Sequence, residues 1–381
     1  MRLLVLDTYY PAFVAQHYGR RPELRYASYG QQLAALMAEC FGTGDAYSHF
    51  LRALGHEAAE IVVDCEPLQY RWAAERGRFA AELRILPRIP GAAGRRAARW
   101  LLRRIAMAQI DEFRPDVVYC QNLDFLSRDQ LDRLRAHGIL VVGQIASPAP
   151  SDRQVQGYDL LLTSFPHFVP RFRRLGVASE ELRLAIDPRI LNRVRGRGGD
   201  PSPGAPRAHD IVFVGGVHPE VHRKGTELLE GLCARYPIAV WGYGADALPS
   251  GSSIRRSYQG EAWGLDMYTI LANARIALNR HIDVAEGHAN NMRLYEATGM
   301  GAALVTDAGT NLGDLFEPGR EVAAYRDLEE LVTTFDRLLE HEEHRLALAT
   351  AGQERTLREH TFEHRMEELV AVLTRHLAAR G

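Results

Sequence analysis

The sequence predicts an α/β protein built from two parallel-sheet domains, and three observations carry this. Short apolar runs alternate with helix-period patterns along the whole chain, which is the signature of βα units. At 381 residues the chain is long enough for two such domains. The alternation is interrupted at GRGGDPSPGAP (196–206), the only stretch dense in glycine, proline and serine, which reads as an interdomain linker. The expected division is a first domain over 1–195, the linker 196–206 and a second domain over 207–361. A terminal segment, 362–381, carries a last helix that could pack back on the first domain.

In the first half, strands are expected at 3–7, 60–63, 117–120, 140–144 and 160–163, with helices between them, for example 46–54 and 128–136. The second half restarts with strands at 210–214, 238–241, 276–279 and 302–306. Hydrophobic content of 46% and charged content of 25% are those of a soluble globular protein. A formal net charge of −2 argues against a nucleic-acid binder, which would be strongly basic. No apolar run reaches the roughly 18 residues that span a bilayer. The opening Leu3-Leu4-Val5-Leu6-Asp7 is too short for a signal-peptide core and ends in an acid. Cys40, Cys65, Cys120 and Cys233 are scattered with no Cys-x-x-Cys pair, so neither a zinc site nor a disulfide framework is expected, and a cytoplasmic location fits.

Of the 46 lysines and arginines, Lys224 is the single lysine. A lysine kept in an arginine-rich chain points to chemistry that needs a compact ammonium rather than a planar fork. Its neighbours support that reading. FVGGVHPEVHRKGTELL (213–229) is a buried strand, a glycine turn, a polar loop and a helix. In parallel α/β sheets, ligands sit where strand ends meet helix starts. Gly215 and Gly216 allow close backbone approach, Arg223 and Lys224 supply positive charge, and Thr226 lies near the helix start, which favours anions. This is neither a dinucleotide fingerprint nor a P-loop.

The second segment is EGHANNMRLYEATGMG (286–301). Asn290 or Asn291 can cap a helix running to about 298, which Gly299 or Gly301 ends. Asn291, Met292 and Arg293 occupy its first turn, where donors hold a phosphate. Glu296 then lies roughly 7–8 Å further along the axis, a reach that suits a ribose diol.

These two segments resemble the donor-binding half of GT-B glycosyltransferases, the group-one retaining family (glycosyltransferase family four). The Asn-Met-Arg-x-Tyr-Glu-Ala core followed by Gly-x-Gly-Ala-x-Leu-Val-Thr-Asp resembles the spore-maturation-protein-like (CgeB-like) branch in particular. The stretch NLGDLFEPGREV (311–322) continues the likeness, as does GEAWGLDMY (260–268), where the family places its nucleotide base, beginning at Gly260. The resemblance spans about 150 residues and weakens over the first half. It implies a GT-B fold, two Rossmann-like α/β domains facing across a cleft. It also implies a transferase that moves a sugar from a nucleotide-diphosphate donor (UDP, GDP or dTDP type) with retention. Lys224 matches the diphosphate-neutralising lysine, Glu296 the ribose-binding glutamate, and Glu286 the sugar-facing glutamate. Two departures stand out. Nine residues rather than seven separate Glu286 from Glu296, and the family's Gly-Arg is Gly215-Gly216 here, so Arg223, Arg293 or His218 would supply the second positive charge.

Glycosyl transfer needs a stabilised leaving diphosphate and a held acceptor hydroxyl. No Asp-x-Asp pair stands at a strand end, so a mechanism without metal or cofactor is expected, with fixed cations and a helix terminus in the metal's place. His281 and His288 flank the sugar end of the donor segment. An acceptor base is expected from the first domain, with Asp45 in GTGDA (42–46) the candidate beside its reading as a helix cap. By residue type His17 and His49 are further candidates. Between 83 and 110 there are seven arginines and no acid, with an apolar stripe of Ala97, Trp100, Leu101 and Ile105. Such a helix can rest on an anionic bilayer, so peripheral membrane contact through 84–105 is an expectation, suited to a lipid-linked or glycoconjugate acceptor. Two rival readings share the architecture: a nucleotide-sugar 2-epimerase and a non-catalytic nucleotide-sugar-binding protein.

Overall fold

The apolar runs form strands as their composition dictates, since a strand covered on both faces needs no polar alternation. In the computed structural model, which describes residues 1–86 and 89–380, Val117–Cys120 and Leu160–Thr163 are buried at every position. The first sheet comprises β1 (Arg2–Asp7), β2 (Glu57–Val62), β3 (Val117–Cys120), β4 (Leu140–Ile145), β5 (Leu160–Thr163) and β6 (Ala178–Glu181). The second comprises β7 (His209–Val214), β8 (Ile238–Trp241), β9 (Tyr258–Gly260), β10 (Ala274–Leu278), β11 (Ala303–Asp307) and β12 (Ala323–Tyr325). All pairings are parallel, in the orders β2-β1-β3-β4-β5-β6 and β12-β11-β10-β7-β8-β9. Sequence patterning missed β6, β9 and β12. Each is an outermost strand of three or four residues (ASEE, YQG, AAY), too short and too mixed to leave an apolar signature.

The chain divides into two units, Met1–Leu182 with the residues from Met366 onward, and Arg183–Arg365. The 196–206 stretch thus lies within the second unit instead of forming a free linker. Gly199 packs on Val194 and Thr269, and a Cβ on Gly301 would come within 2.3 Å of the Pro201 carbonyl. Gln353 donates to that same carbonyl at 2.7 Å, and the Arg207 guanidinium donates to the carbonyls of Ser202, Gly301 and Ala272. Glycine and proline density marks the lack of regular structure, not the lack of packing. The C-terminal helix, Phe362–Ala378, ties into the first unit through Arg375 and His376 on Glu180 (2.7 and 2.8 Å), with Arg380 on Asp159 just beyond it.

In each sheet the strand order reverses at one place, between β1 and β3 in the first and between β7 and β10 in the second. Loops leaving such adjacent strands in opposite directions open a crevice at the carboxyl edge. In the second unit the two loops leaving β7 and β10 belong to the two segments singled out from the sequence, 213–229 and 286–301.

Candidate functional site

The loop after β7 is shaped by contacts that only glycine permits. A Cβ on Gly216 would lie 2.3 Å from His222 Nε2 and 2.8 Å from the Tyr243 ring, and one on Gly242 would lie 1.8 Å from the Gly215 carbonyl. Close packing of these backbones brings the helix Arg223–Cys233 to the carboxyl edge of the sheet. Lys224 sits in its first turn, 72% exposed, with Nζ 3.8 Å from Asp283 of the loop after β10. Arg223 is exposed and pairs with Glu227 at 3.3 Å, and His218 accepts a hydrogen bond from the Glu220 N–H.

The cation that accompanies Lys224 is Arg280, which the sequence reading missed. Its guanidinium pairs with the same Asp283 (3.4 Å) and lies so close that a Cβ on Gly225 would meet Nη1 at 2.4 Å. Nothing in composition marks one arginine among so many; only its place just after β10 could have.

Across the crevice, the helix Met292–Gly299 starts at Asn291, one of the two expected caps. Its side chain accepts from the Leu294 N–H (3.3 Å) and donates to Asn279 Oδ1 (2.8 Å) and the Arg280 carbonyl (3.3 Å), so one residue fixes both the helix start and the strand end. Arg293 does not present its charge there. It is turned inward to Glu296 (2.7 Å) and to the Val214 carbonyl (3.1 Å). Glu296 is 6% exposed and also accepts from the Tyr268 hydroxyl at 3.3 Å. A carboxylate has about four lone-pair directions, so both partners together leave room for a diol.

The front of the segment is held from β11. Asn311 accepts from the Ala289 N–H (2.7 Å) and donates to the Ala289 carbonyl (3.2 Å), and the Thr310 N–H binds the Gly287 carbonyl (2.8 Å). Glu286 is exposed with φ +49°, a left-handed conformation uncommon outside glycine. His288 Nδ1 lies 3.0 Å from the Ala285 carbonyl. His281 is buried, with Nδ1 2.7 Å from Asp307 Oδ1. Burial raises the Asp307 carboxyl, but the bonds from the His281 ring and backbone outweigh it and hold the group below its ordinary value. His281 Nε2, Asn290 Nδ2 and Thr226 Oγ1 are buried yet have no hydrogen-bond partner among the described residues. Buried polar atoms are rarely left so. All three stand on the loops and helix starts that frame the β7/β10 crevice. Beside it, Gly260 (φ +114°) ends β9, and the parallel rings of Tyr243 and Trp263 stand 6.2 Å apart.

In the first unit, Asp45 stands at the cap position of Ala46–Ala53, but its side chain makes no cap hydrogen bond. His17 is not a poised base: burial, with Arg21 adding, pushes its ring down to about 4. A group missed from sequence is Asp7, at the end of β1, whose carboxyl burial pushes up to about 7 while it accepts the Thr8 N–H. Glu60 and Asp64 are likewise raised by burial, to about 7 and about 6. The only signal was an acid closing an apolar strand. The apolar stripe expected on a bilayer is otherwise engaged, because Leu101 and Ile105 are fully buried against Trp72 and Ala73. Of that stripe only Trp100 is largely exposed (51%); positions 87 and 88 lie outside the described residues.

Residues 223–371 match the family model described as "Glycosyl transferase-like". No curated protein matches the chain in sequence. Among solved structures, the sucrose-phosphate synthase of Thermosynechococcus elongatus is similar in fold (TM-score 0.58, 12% identity, 100% of each chain covered). So is a glycosyltransferase from Rickettsia africae (0.57, 8%, covering 98% of this chain and 97% of that one). A third is Anabaena Alr3699/HepE in complex with UDP and glucose (0.55, 12%, 98% and 99%). The two Rossmann-like units have the two-domain α/β architecture of a GT-B fold, and the glycosyltransferase-like match falls mainly on the second. Among the described residues no helix is long and apolar enough to cross a membrane.

Proposed function

We propose that the enzyme transfers a sugar from a nucleotide-diphosphate donor, bound at the β7/β10 crevice, to an acceptor hydroxyl. The observation that carries this reading is the meeting of Lys224 and Arg280 on Asp283, opposite the start of the Met292–Gly299 helix. The UDP and glucose bound by the Anabaena relative support it. As the bond from the anomeric carbon to the diphosphate oxygen breaks, negative charge collects on the leaving group. The two cations and the helix terminus stabilise that charge without having to reorganise. Glu296 holds the ribose, the loop after β9 from Gly260 borders the base, and Asn290, Glu286, His288 and His281 face the sugar. The acceptor oxygen bonds to the anomeric carbon, and its proton passes to the leaving diphosphate. Fixed cations make a divalent metal unnecessary in this scheme, and the motif likeness favours retention and the CgeB-like branch.

The test is a panel of UDP-, GDP- and dTDP-sugars assayed for nucleoside-diphosphate release with and without candidate glycan or lipid-linked acceptors, in buffer and in EDTA. Release insensitive to EDTA, and lowered at least about tenfold by Lys224→Ala, is expected. A donor that changes epimer with no release would identify an epimerase. Binding of a donor without any turnover would identify a binding protein.

A further inference from the structure

The first unit concentrates positive charge that donor binding does not use. On the helix Gly91–Phe113, Arg96, Arg99 and Arg103 stand three and four positions apart, on one face. Among the described residues none of the three has a carboxylate partner. Arg96 makes no side-chain bond, Arg99 donates to the Asp124 carbonyl (2.7 Å), and Arg103 donates to the carbonyls of Phe125 and Asp124. Other arginines on or beside this helix do pair with acids, as in Arg104–Glu82 (2.6 Å) and Arg76–Glu112 (2.9 Å). Like charges at these spacings oppose one another on a helix, so leaving three unneutralised needs a reason. Burial, with Arg99 adding and the nearby Asp124 carboxylate only partly opposing, pushes the Arg103 guanidinium below its ordinary value.

The three arginines border a groove between this helix and the start of Arg128–Ala136. It has a lobe of about 470 Å³ lined by Arg96, Arg99, Trp100, Arg103 and Gln130. A more open, overlapping lobe of about 640 Å³ reaches Arg128 and Gln154 and includes one acid, Asp124. Trp100 is half-exposed at its rim, 4.5 Å from the Arg104 guanidinium. Asp124, Phe125 and Ser127 belong to the loop after β3, which leaves the first sheet where its strand order reverses. The groove therefore adjoins the edge at which such sheets take ligands.

We propose that this groove binds a phosphate-bearing ligand. Arg96, Arg99 and Arg103 hold the phosphate, and Trp100 packs against the group that carries it. Guanidinium forks match phosphate oxygens two at a time, and three of them exceed what a single carboxylate would neutralise. The half-exposed Trp100 ring beside the arginines offers a face to an organic group, which points to an organic phosphate. The source is a soluble phosphorylated molecule or a lipid headgroup; in the second case recognition is by charge, since Leu101 and Ile105 are in the core. All the residues lie in the first unit, so the inference stands independently of donor binding.

The experiment follows intrinsic tryptophan fluorescence of the full chain during titration with inorganic pyrophosphate. In parallel, it measures co-sedimentation with phosphatidylcholine vesicles containing or lacking phosphatidylglycerol. A saturable fluorescence change is expected, absent in Trp100→Phe, retained in Lys224→Ala and displaced at least about tenfold in Arg96→Glu. Arg96 is exposed and makes no hydrogen bond or ion pair among the described residues, so Arg96→Glu tests binding rather than folding. Loss of vesicle binding in Arg96→Glu, with no pyrophosphate response in the wild type, would assign the phosphate to a lipid headgroup. Wild-type behaviour of Arg96→Glu toward both probes would overturn the proposal, as would a wild type that binds neither.

Discussion

Glu296 joins binding to stability, because the carboxylate assigned to the ribose is also the buried partner of Arg293. Glu296→Ala leaves a guanidinium in a nearly closed site with no counter-charge, a loss on the order of 3 kcal/mol that calorimetric unfolding would register. Glu296→Gln keeps an acceptor for Tyr268 and removes only the charge. It leaves Arg293 without a counter-charge but keeps a hydrogen-bond acceptor for the guanidinium, so it is expected to lose less stability than Glu296→Ala while weakening nucleoside-diphosphate binding about tenfold. Equal destabilisation by the two variants would mean that the lost charge, and not the hydrogen bonds, accounts for the whole cost. Lys224 is the converse case: exposed, with its one ion-pair partner among the described residues 3.8 Å away, it can be changed at little structural cost. Lys224→Arg is expected to recover only part of the affinity lost in Lys224→Ala, because a planar fork beside Arg280 cannot occupy the place of a compact ammonium.

Among the elements, the helix Met292–Gly299 most directly couples structure to ligand. Eight residues form too short a helix to persist by propensity alone. Its start depends on Asn291, which caps it and ties it to Asn279 and Arg280. Asn291→Ala removes all of these bonds and is expected to cost about 1–2 kcal/mol in stability. Hydrogen exchange should then rise in 279–299 and not in the first sheet. Exchange spread evenly over both sheets would show that the cap is only one contact among many. This helix was legible in the sequence because its cap, its glycine stop and the strand after it all carry local signals. The inward turn of Arg293 was not, since Val214 and Met267, which receive it, are distant in sequence. Arg280 was missed because nothing in composition marks one arginine among so many.

At the scale of the whole molecule, periodicity revealed nine of the twelve strands and both crevice loops, because those features are written in neighbouring residues. The division of the chain was read differently from sequence, because 196–206 packs through Arg207, Gln353 and Gly301, none of which composition can pair with it. The two units should also respond differently to acid. In the second, His360 is buried and neutral, Nε2 donating to the Leu315 carbonyl (2.8 Å) and Nδ1 accepting from Arg365 (3.2 Å). Burial, with Arg365 adding, pushes its ring down to about 4. Between the ordinary histidine value and about 4 the unfolded chain binds the extra proton, so stability falls as pH falls through that window. In the first unit His17 behaves alike, but Asp7 and Glu60, raised to about 7, have the opposite sign and favour the folded state as pH falls. Scanning calorimetry from pH 7 to 5 should show the second unit losing on the order of 1–2 kcal/mol more than the first. His360→Gln should reduce that difference.

The most direct measurement of the central claim, a donor diphosphate held by Lys224 and Arg280 against the Met292–Gly299 helix, is titration calorimetry of UDP, GDP and dTDP into the wild type and Lys224→Ala. At least one nucleotide is expected to bind the wild type and to bind the variant at least about tenfold more weakly. Failure of all three to bind the wild type, or equal affinity in the variant, would contradict the account.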